Sequence, residues 1–132
     1  NTQYYIESAL EAGYHVLIDI WYVDGKLYIG NEKPCECISS TFLTRNKDKL
    51  ILRARNIQTV IYMTSTDMHF YIQSNEIFSL TNRGTVISQI PMHSTVLYLP
   101  EMKGINNIEK VPEGVYGICS DYIQLFRTKN NI

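Results

Sequence analysis

The sequence predicts an α/β fold. β-branched and aromatic runs of strand length recur along the chain, short segments with helical spacing or turn chemistry separate them, and the connections are brief. Strands alternating with such crossovers favour a parallel sheet. The pattern fits a compact or incomplete barrel as well as an open sheet, and periodicity does not choose between them.

Taken in order, residues 3–12 (QYYIESALEA) set Tyr5, Ile6, Ala9 and Leu10 at helical spacing, with Thr2 as a cap and Gly13 as a stop. Residues 15–23 (HVLIDIWYV) predict a strand, and Asp24-Gly25 is a tight-turn pair that returns the chain into KLYIG at 26–30. TFLTRNKDK at 41–49 predicts a short helix or turn, LILRA at 50–54 a strand, and Asn56 a cap for a helix over 56–64. MHFYIQ at 68–73 is the next strand, and NEIFSLTNRG at 75–84 is a short helix or turn closed by Gly84. TVISQI at 85–90, STVLYLP at 94–100 and YGICS at 116–120 complete the strands, and Ser120 or Asp121 starts a terminal helix over DYIQLF.

A chain of 132 residues with 45% hydrophobic and 19% charged residues is read as one globular domain over 1–132 with a real core. The net charge of −1, with basic residues scattered, leaves no electrostatic footprint for nucleic acid, so none is expected as a partner. No apolar run approaches the ~18 residues of a membrane span, and no signal peptide is visible. Three cysteines, an odd number, argue against a disulfide framework and for a reducing, intracellular location. Cys35 and Cys37 form a CxC pair, but no second pair or nearby histidine completes four metal ligands, so structural thiols are the simpler reading. Ten tyrosines, a residue favoured at interfaces, point to a component of a protein assembly.

The stretch NTQYYIESALEAGYHVLIDIWYVDGKLYIGNEKP resembles the early part of glycerophosphodiester phosphodiesterase-like proteins, the branch related to phosphatidylinositol-specific phospholipases C. A typical member reads ENT, a helix ending AG, ExD on a strand, then HD or GHDEP after a hairpin. Here NT is Asn1-Thr2, ALEAG is Ala9 to Gly13, and IDIWYVDGKLYIG is Ile18 to Gly30. RARNIQ, HFYIQSNEIFSLTNRG, YLPE and GICSDYI continue the likeness in order, over most of the chain. The resemblance implies a TIM-type (β/α) barrel, here compact or incomplete with short connecting helices, its first strand upstream of residue 1. It also implies carboxylates holding Mg²⁺ or Ca²⁺ against a phosphodiester while two histidines act as base and acid. ExD suits that task because the two-residue strand period sends both carboxylates to one side.

This chain departs from the pattern where the chemistry would sit. Leu17 stands at the first carboxylate, leaving Asp19 as the one metal-ligand candidate. Asn31 stands where GHDEP brings a histidine, and an amide cannot transfer a proton near neutral pH. RARN at 53–56 and Gln73 stand where small members show HAKN and a histidine, and the HRG histidine would precede Asn1. Leu17, Asn31 and Gln73 are thus vestigial positions. Each lost acid or base is worth ~10²- to 10⁴-fold in rate.

Two readings stand for Asp19: a buried carboxylate satisfied by backbone or arginine, or a vestigial ligand that organises an anion site. Arg53 and Arg55 alternate on one strand, so both point to one face: if that face is interior they form an anion pocket or pair with Asp19 and Glu101, and otherwise they mark an exposed strand end. Glu101 is a candidate third site carboxylate, and Asp121 is more simply a helix cap. His15, His69 and His93 fall on no catalytic position of the resemblance.

The leading expectation is a catalytically degenerate phosphodiesterase-like domain acting as a binding or structural component of a larger assembly, without a cofactor. The alternatives are an active phosphodiesterase using Mg²⁺ or Ca²⁺, with Glu32 or Glu101 supplying missing groups, and a non-hydrolytic module for a phosphorylated small molecule held by Arg53 and Arg55.

Overall fold

The strand at the middle of the first sheet follows from its own residues. Val16–Val23 (β1) is β-branched and aromatic, and the Asp24-Gly25 pair, both with positive φ (49° and 77°), folds it back on Lys26–Ile29 (β2). In the computed structural model, which describes residues 2–126, the chain divides into two compact units, Asn1–Gln73 and Ser74–Ile132.

In the first unit the hairpin extends to a third strand, Glu36–Ile38 (β3), for which the sequence analysis has no element. On its other side β1 pairs in parallel with Leu50–Ala54 (β4), and β4 with Phe70–Ile72 (β5), giving the order β3-β2-β1-β4-β5. Helix Gln3–Glu11 (α1) has the expected cap, Thr2 Oγ1 accepting the Tyr5 N–H, and stops before Gly13 at φ 90°. Its inward residues are Ile6 and Leu10; Tyr5, placed on that stripe by spacing, is 68% exposed. Ser40–Arg45 (α2) is a short helix capped by Ser39, and Ile57–Thr64 (α3) is capped by Asn56 as expected.

Alternation sends Ile18, Ile20, Leu50 and Leu52 to the face covered by helices, where they pack with Ile6, Phe42, Leu43 and Met63. Beyond the end of β4, side chains take over its hydrogen bonding to β1. Thr59 Oγ1 accepts the Tyr22 N–H at 2.7 Å, and Asn56 Nδ2 donates to the Tyr22 carbonyl at 3.1 Å. Helix α3 is thereby fixed on β1, and the opposite sheet face is left to Leu17, Asp19, Trp21, Arg53 and Tyr71.

The second unit holds Phe78–Leu80 (β6), Val86–Ser88 (β7), Thr95–Tyr98 (β8) and Gly117–Cys119 (β9) in that spatial order, with β6–β7 antiparallel and the other pairs parallel. The expected helix or turn over 75–84 is instead a strand leading into a turn at Gly84, because Phe78 to Leu80 pair with Ser88 to Val86. The expected terminal helix is a 3₁₀ turn, Ile123–Phe126. Residues between β8 and β9 form 3₁₀ turns at Pro100–Lys103 and Ile108–Lys110 rather than a crossover helix.

The expectation of a TIM-type barrel, compact or incomplete, is therefore overturned: the described residues form two small mixed sheets and three α-helices, with no closed barrel. The physical reason lies at both ends of the sequence of strands. The tight Asp24-Gly25 turn puts an antiparallel hairpin on the edge of β1 that a further parallel strand would need, and β7, β8 and β9 are joined without the helical layer a (β/α) barrel requires. No helix among the described residues is long and apolar enough to cross a membrane.

Candidate functional site

Asp19 and Arg53 are register partners on adjacent parallel strands, so their side chains emerge side by side on the face away from the core. Arg53 Nε donates to Asp19 Oδ1, and the pair is nearly dry, with side chains 10% and 6% exposed. Arg55, two residues on, brings its Nη1 within 3.7 Å of the same oxygen. It also donates to Gln73 Oε1 at 3.2 Å, just past the end of β5, and its guanidinium carbon lies 5.7 Å from the centre of the Trp21 ring, within cation–π range.

The β2 end of the cluster is built by Gly30. Its N–H reaches the Asp19 carbonyl at 3.3 Å and its own carbonyl accepts the Trp21 indole N–H at 2.7 Å. A Cβ at this position would collide with the Lys33 carbonyl, so only glycine lets the 30–35 turn close this tightly. That turn sets Asn31, whose Oδ1 accepts a long 3.5 Å contact from Arg53 Nη2.

Five of the residues singled out by sequence, Asp19, Asn31, Arg53, Arg55 and Gln73, are thus gathered around one carboxylate. Leu17 is half-buried on the same face, an apolar side chain one strand period before Asp19. Glu101 belongs to the second unit, where its carboxylate accepts from Ser120 Oγ at 2.8 and 3.0 Å and from the Asp121 N–H at 3.2 Å. Asp121, read as a helix cap, supplies only that backbone donor among these bonds. His15 and His69 stand at the N-terminal ends of β1 and β5, opposite the end where the cluster lies. His93 is in the second unit, hydrogen-bonded to Ser94. Trp21 and Gly30 are parts of the cluster the sequence reading did not single out; the spacing of two between Asp19 and Trp21 was the available signal.

The chemistry of this donor set is plain. A hard divalent cation takes six or more oxygens, several of them anionic. The cluster offers one carboxylate and two amide oxygens, each already accepting from a guanidinium, and two fixed positive charges stand within 4 Å of the carboxylate. Mg²⁺ or Ca²⁺ does not fit it. No protein-family model, curated protein or solved structure matches the chain.

Proposed function

We propose that this chain is a non-catalytic, phosphodiesterase-like domain that serves as a binding or structural component of a larger protein assembly. The observation that carries the reading is the pairing of Asp19 with Arg53: the guanidinium takes the position beside the carboxylate that a metal ion would need. The residues at the positions quoted for the resemblance, Asp19, Asn31, Arg53 and Gln73, converge on one sheet face, which supports descent from a site that once did chemistry. Each is now bonded to another protein group, so the cluster orders the sheet where it would otherwise bind and cleave. Exposed Tyr4, Tyr5, Ile57 and Ile61 on α1 and α3 favour a protein partner over a solitary role.

The test is hydrolysis of a glycerophosphodiester by the purified chain with Mg²⁺, Ca²⁺ and Mn²⁺ in turn. The expected result is no release above the metal-only blank. Turnover that Asp19→Asn abolishes would overturn the reading and restore the metal-dependent enzyme.

A second reading rests on Arg55. Its side chain is 22% exposed, with the guanidinium carbon 5.7 Å from the centre of the Trp21 ring and Nη1 donating to Gln73, a preorganised fork of the kind that holds a phosphoryl group without cleaving it. A phosphate titration that raises the melting temperature in the native chain and not in Arg55→Gln supports it; equal responses in both dismiss it.

A further inference from the structure

Cys35 and Cys37 are exposed free thiols, so packing does not account for them, and the cluster around Asp19 does not use them. Between them stands Glu36, whose place in the sheet is fixed. The ladder phase set by the Gly30 N–H on the Asp19 carbonyl turns Glu36 and Ile38 toward Ile29 and Leu27 of β2, and leaves the N–H and C=O of Cys37 at the open edge of β3. Cys35 precedes the strand, with its N–H bent inward to the Ile29 carbonyl at 2.9 Å and its Sγ donating to the Lys33 carbonyl at 3.3 Å. The Glu36 side chain, on the helix-covered face with that of its register partner Ile29, accepts the Gln3 N–H at 3.0 Å. That N–H belongs to the first turn of α1, whose amides have no partner within the helix and carry its positive end.

We propose that Cys35 and Cys37 are a redox modification site: a small-molecule disulfide such as oxidised glutathione converts them to a disulfide within the chain, and closing that ring draws Glu36 off the start of α1. One protein thiolate attacks the small disulfide, forms a mixed disulfide and expels one thiol; the second protein thiolate then displaces the other. The two protein thiols lose two electrons, the small disulfide gains them, and the two protein protons leave on the two thiols released. Two residues of separation keep the second thiol at hand, so the mixed disulfide is resolved as fast as it forms. Geometry supplies the coupling. Along extended backbone, residues two apart have their Cα atoms, and their Cβ atoms with them, about 6.6 Å apart. A disulfide tolerates that Cα separation only at its long limit and needs Cβ atoms about 3.5–4.5 Å apart. The chain must therefore bend at Glu36, the residue that joins β3 to β2 and to α1. Cys35 lies outside the strand and the backbone groups of Cys37 face the open edge, so both can move. What is given up is the Glu36 pairing with Ile29 and its hold on Gln3.

The experiment uses the full chain, reduced and then equilibrated in glutathione buffers of increasing oxidised fraction, quenched by alkylation in denaturant and read by mass spectrometry. Expected is a chain lighter by two hydrogens, unalkylated at Cys35 and Cys37 and alkylated at Cys119, which excess reduced glutathione returns to the starting form. In Cys35→Ser and in Cys37→Ser the remaining thiol of the pair holds glutathione as a stable mixed disulfide, and Cys119→Ser behaves as the native chain. Hydrogen exchange over Gln3 to Ile6 rises about 2- to 5-fold on oxidation of the native chain, the size expected for losing a carboxylate at a helix N-terminus. Glu36→Ala shows that rise while reduced and no further rise when oxidised. A native chain that stays reduced, keeps glutathione, links to another chain or bridges through Cys119 overturns the proposal, and so does ring closure that leaves exchange at the start of α1 unchanged. None of these outcomes depends on the phosphodiesterase reading.

Discussion

The two units solve the same problem, burying one face of a small sheet, with unequal means. In the first, helices α1 and α3 cover β1 and β4, and the apolar cluster runs from Ile6 to Met68 with Ile18, Ile20, Ile29, Leu50, Leu52 and Met63 nearly inaccessible. In the second, among the described residues, 3₁₀ turns replace helices, and the buried apolar residues are Ile87, Leu97, Pro100 and Phe126. Ile77, Phe78, Leu80, Met102 and Tyr116 of that unit stay exposed. Backbone strain divides the same way. Among the described residues, the first unit has one non-glycine residue in the left-handed region, Asp24 in a turn made for it, whereas the second holds Ser94 and Leu99 there, at either end of β8. The lesson is that strand sequences of similar character give a stiff core only where an amphipathic helix is available to cover them.

The largest consequence is in local stability. Amides of β1 and β4 are expected to exchange with solvent on the order of 10³-fold more slowly than those of β6 and β9. Native-state hydrogen exchange measures this directly, and equal protection in the two units would break the comparison. The next concerns the polar face of the first unit. Asp19→Ala leaves a guanidinium in a nearly dry position and is expected to cost about 3–5 kcal/mol in urea unfolding. The double replacement Asp19→Leu with Arg53→Met removes both charges and is expected to recover most of that loss. A double variant as unstable as the single one would mean that the pair contributes geometry that packing cannot replace.

A smaller effect sharpens the account of how α3 is held. Thr59 is fully buried, and its hydroxyl oxygen accepts the Tyr22 N–H. Thr59→Val keeps the volume and strands that donor, with an expected loss of about 1–3 kcal/mol. Denaturant midpoints for the pair Thr59→Val and Thr59→Ser separate the hydrogen bond from the packing, since serine keeps the oxygen.

What was legible in the sequence follows from how local each signal is. Caps at Thr2 and Asn56, the Asp24-Gly25 turn and the β1 and β4 runs are set by side chains within a few residues, and they stand where spacing put them. The gathering of Asp19, Arg53 and Arg55 was half legible: alternation put both arginines on one face, but the register that sets Arg53 beside Asp19 is a non-local choice. β6 was not legible, because Phe78, Ser79 and Leu80 become a strand only by pairing with β7, and the asparagines and glycine around them favour turns. The closed barrel failed for the same reason on a larger scale. Which strands become neighbours depends on tertiary pairing that short apolar runs do not encode, and the hairpin on the β1 edge removed one of the neighbours a barrel needs.

The smallest expected effect is also the one that best tests what the thin second unit is for. Phe78 and Leu80 are 52% and 64% exposed on β6, an edge strand of its sheet whose outward Phe78 carbonyl accepts from Ser74 Oγ at 2.7 Å. Side chains that do not pack within the chain contribute little to its folding, so Phe78→Ser with Leu80→Ser is expected to shift the unfolding free energy by no more than about 0.5 kcal/mol per site. The same change removes an apolar edge that invites association, so concentration-dependent light scattering should fall. The two readouts together discriminate. A loss near that of a core truncation, about 2–5 kcal/mol, would mean that these side chains are part of the fold, and the contrast between the units would shrink to a difference in helix content. An unchanged stability with reduced scattering would mean that the second unit presents apolar surface outward, as a component of an assembly must.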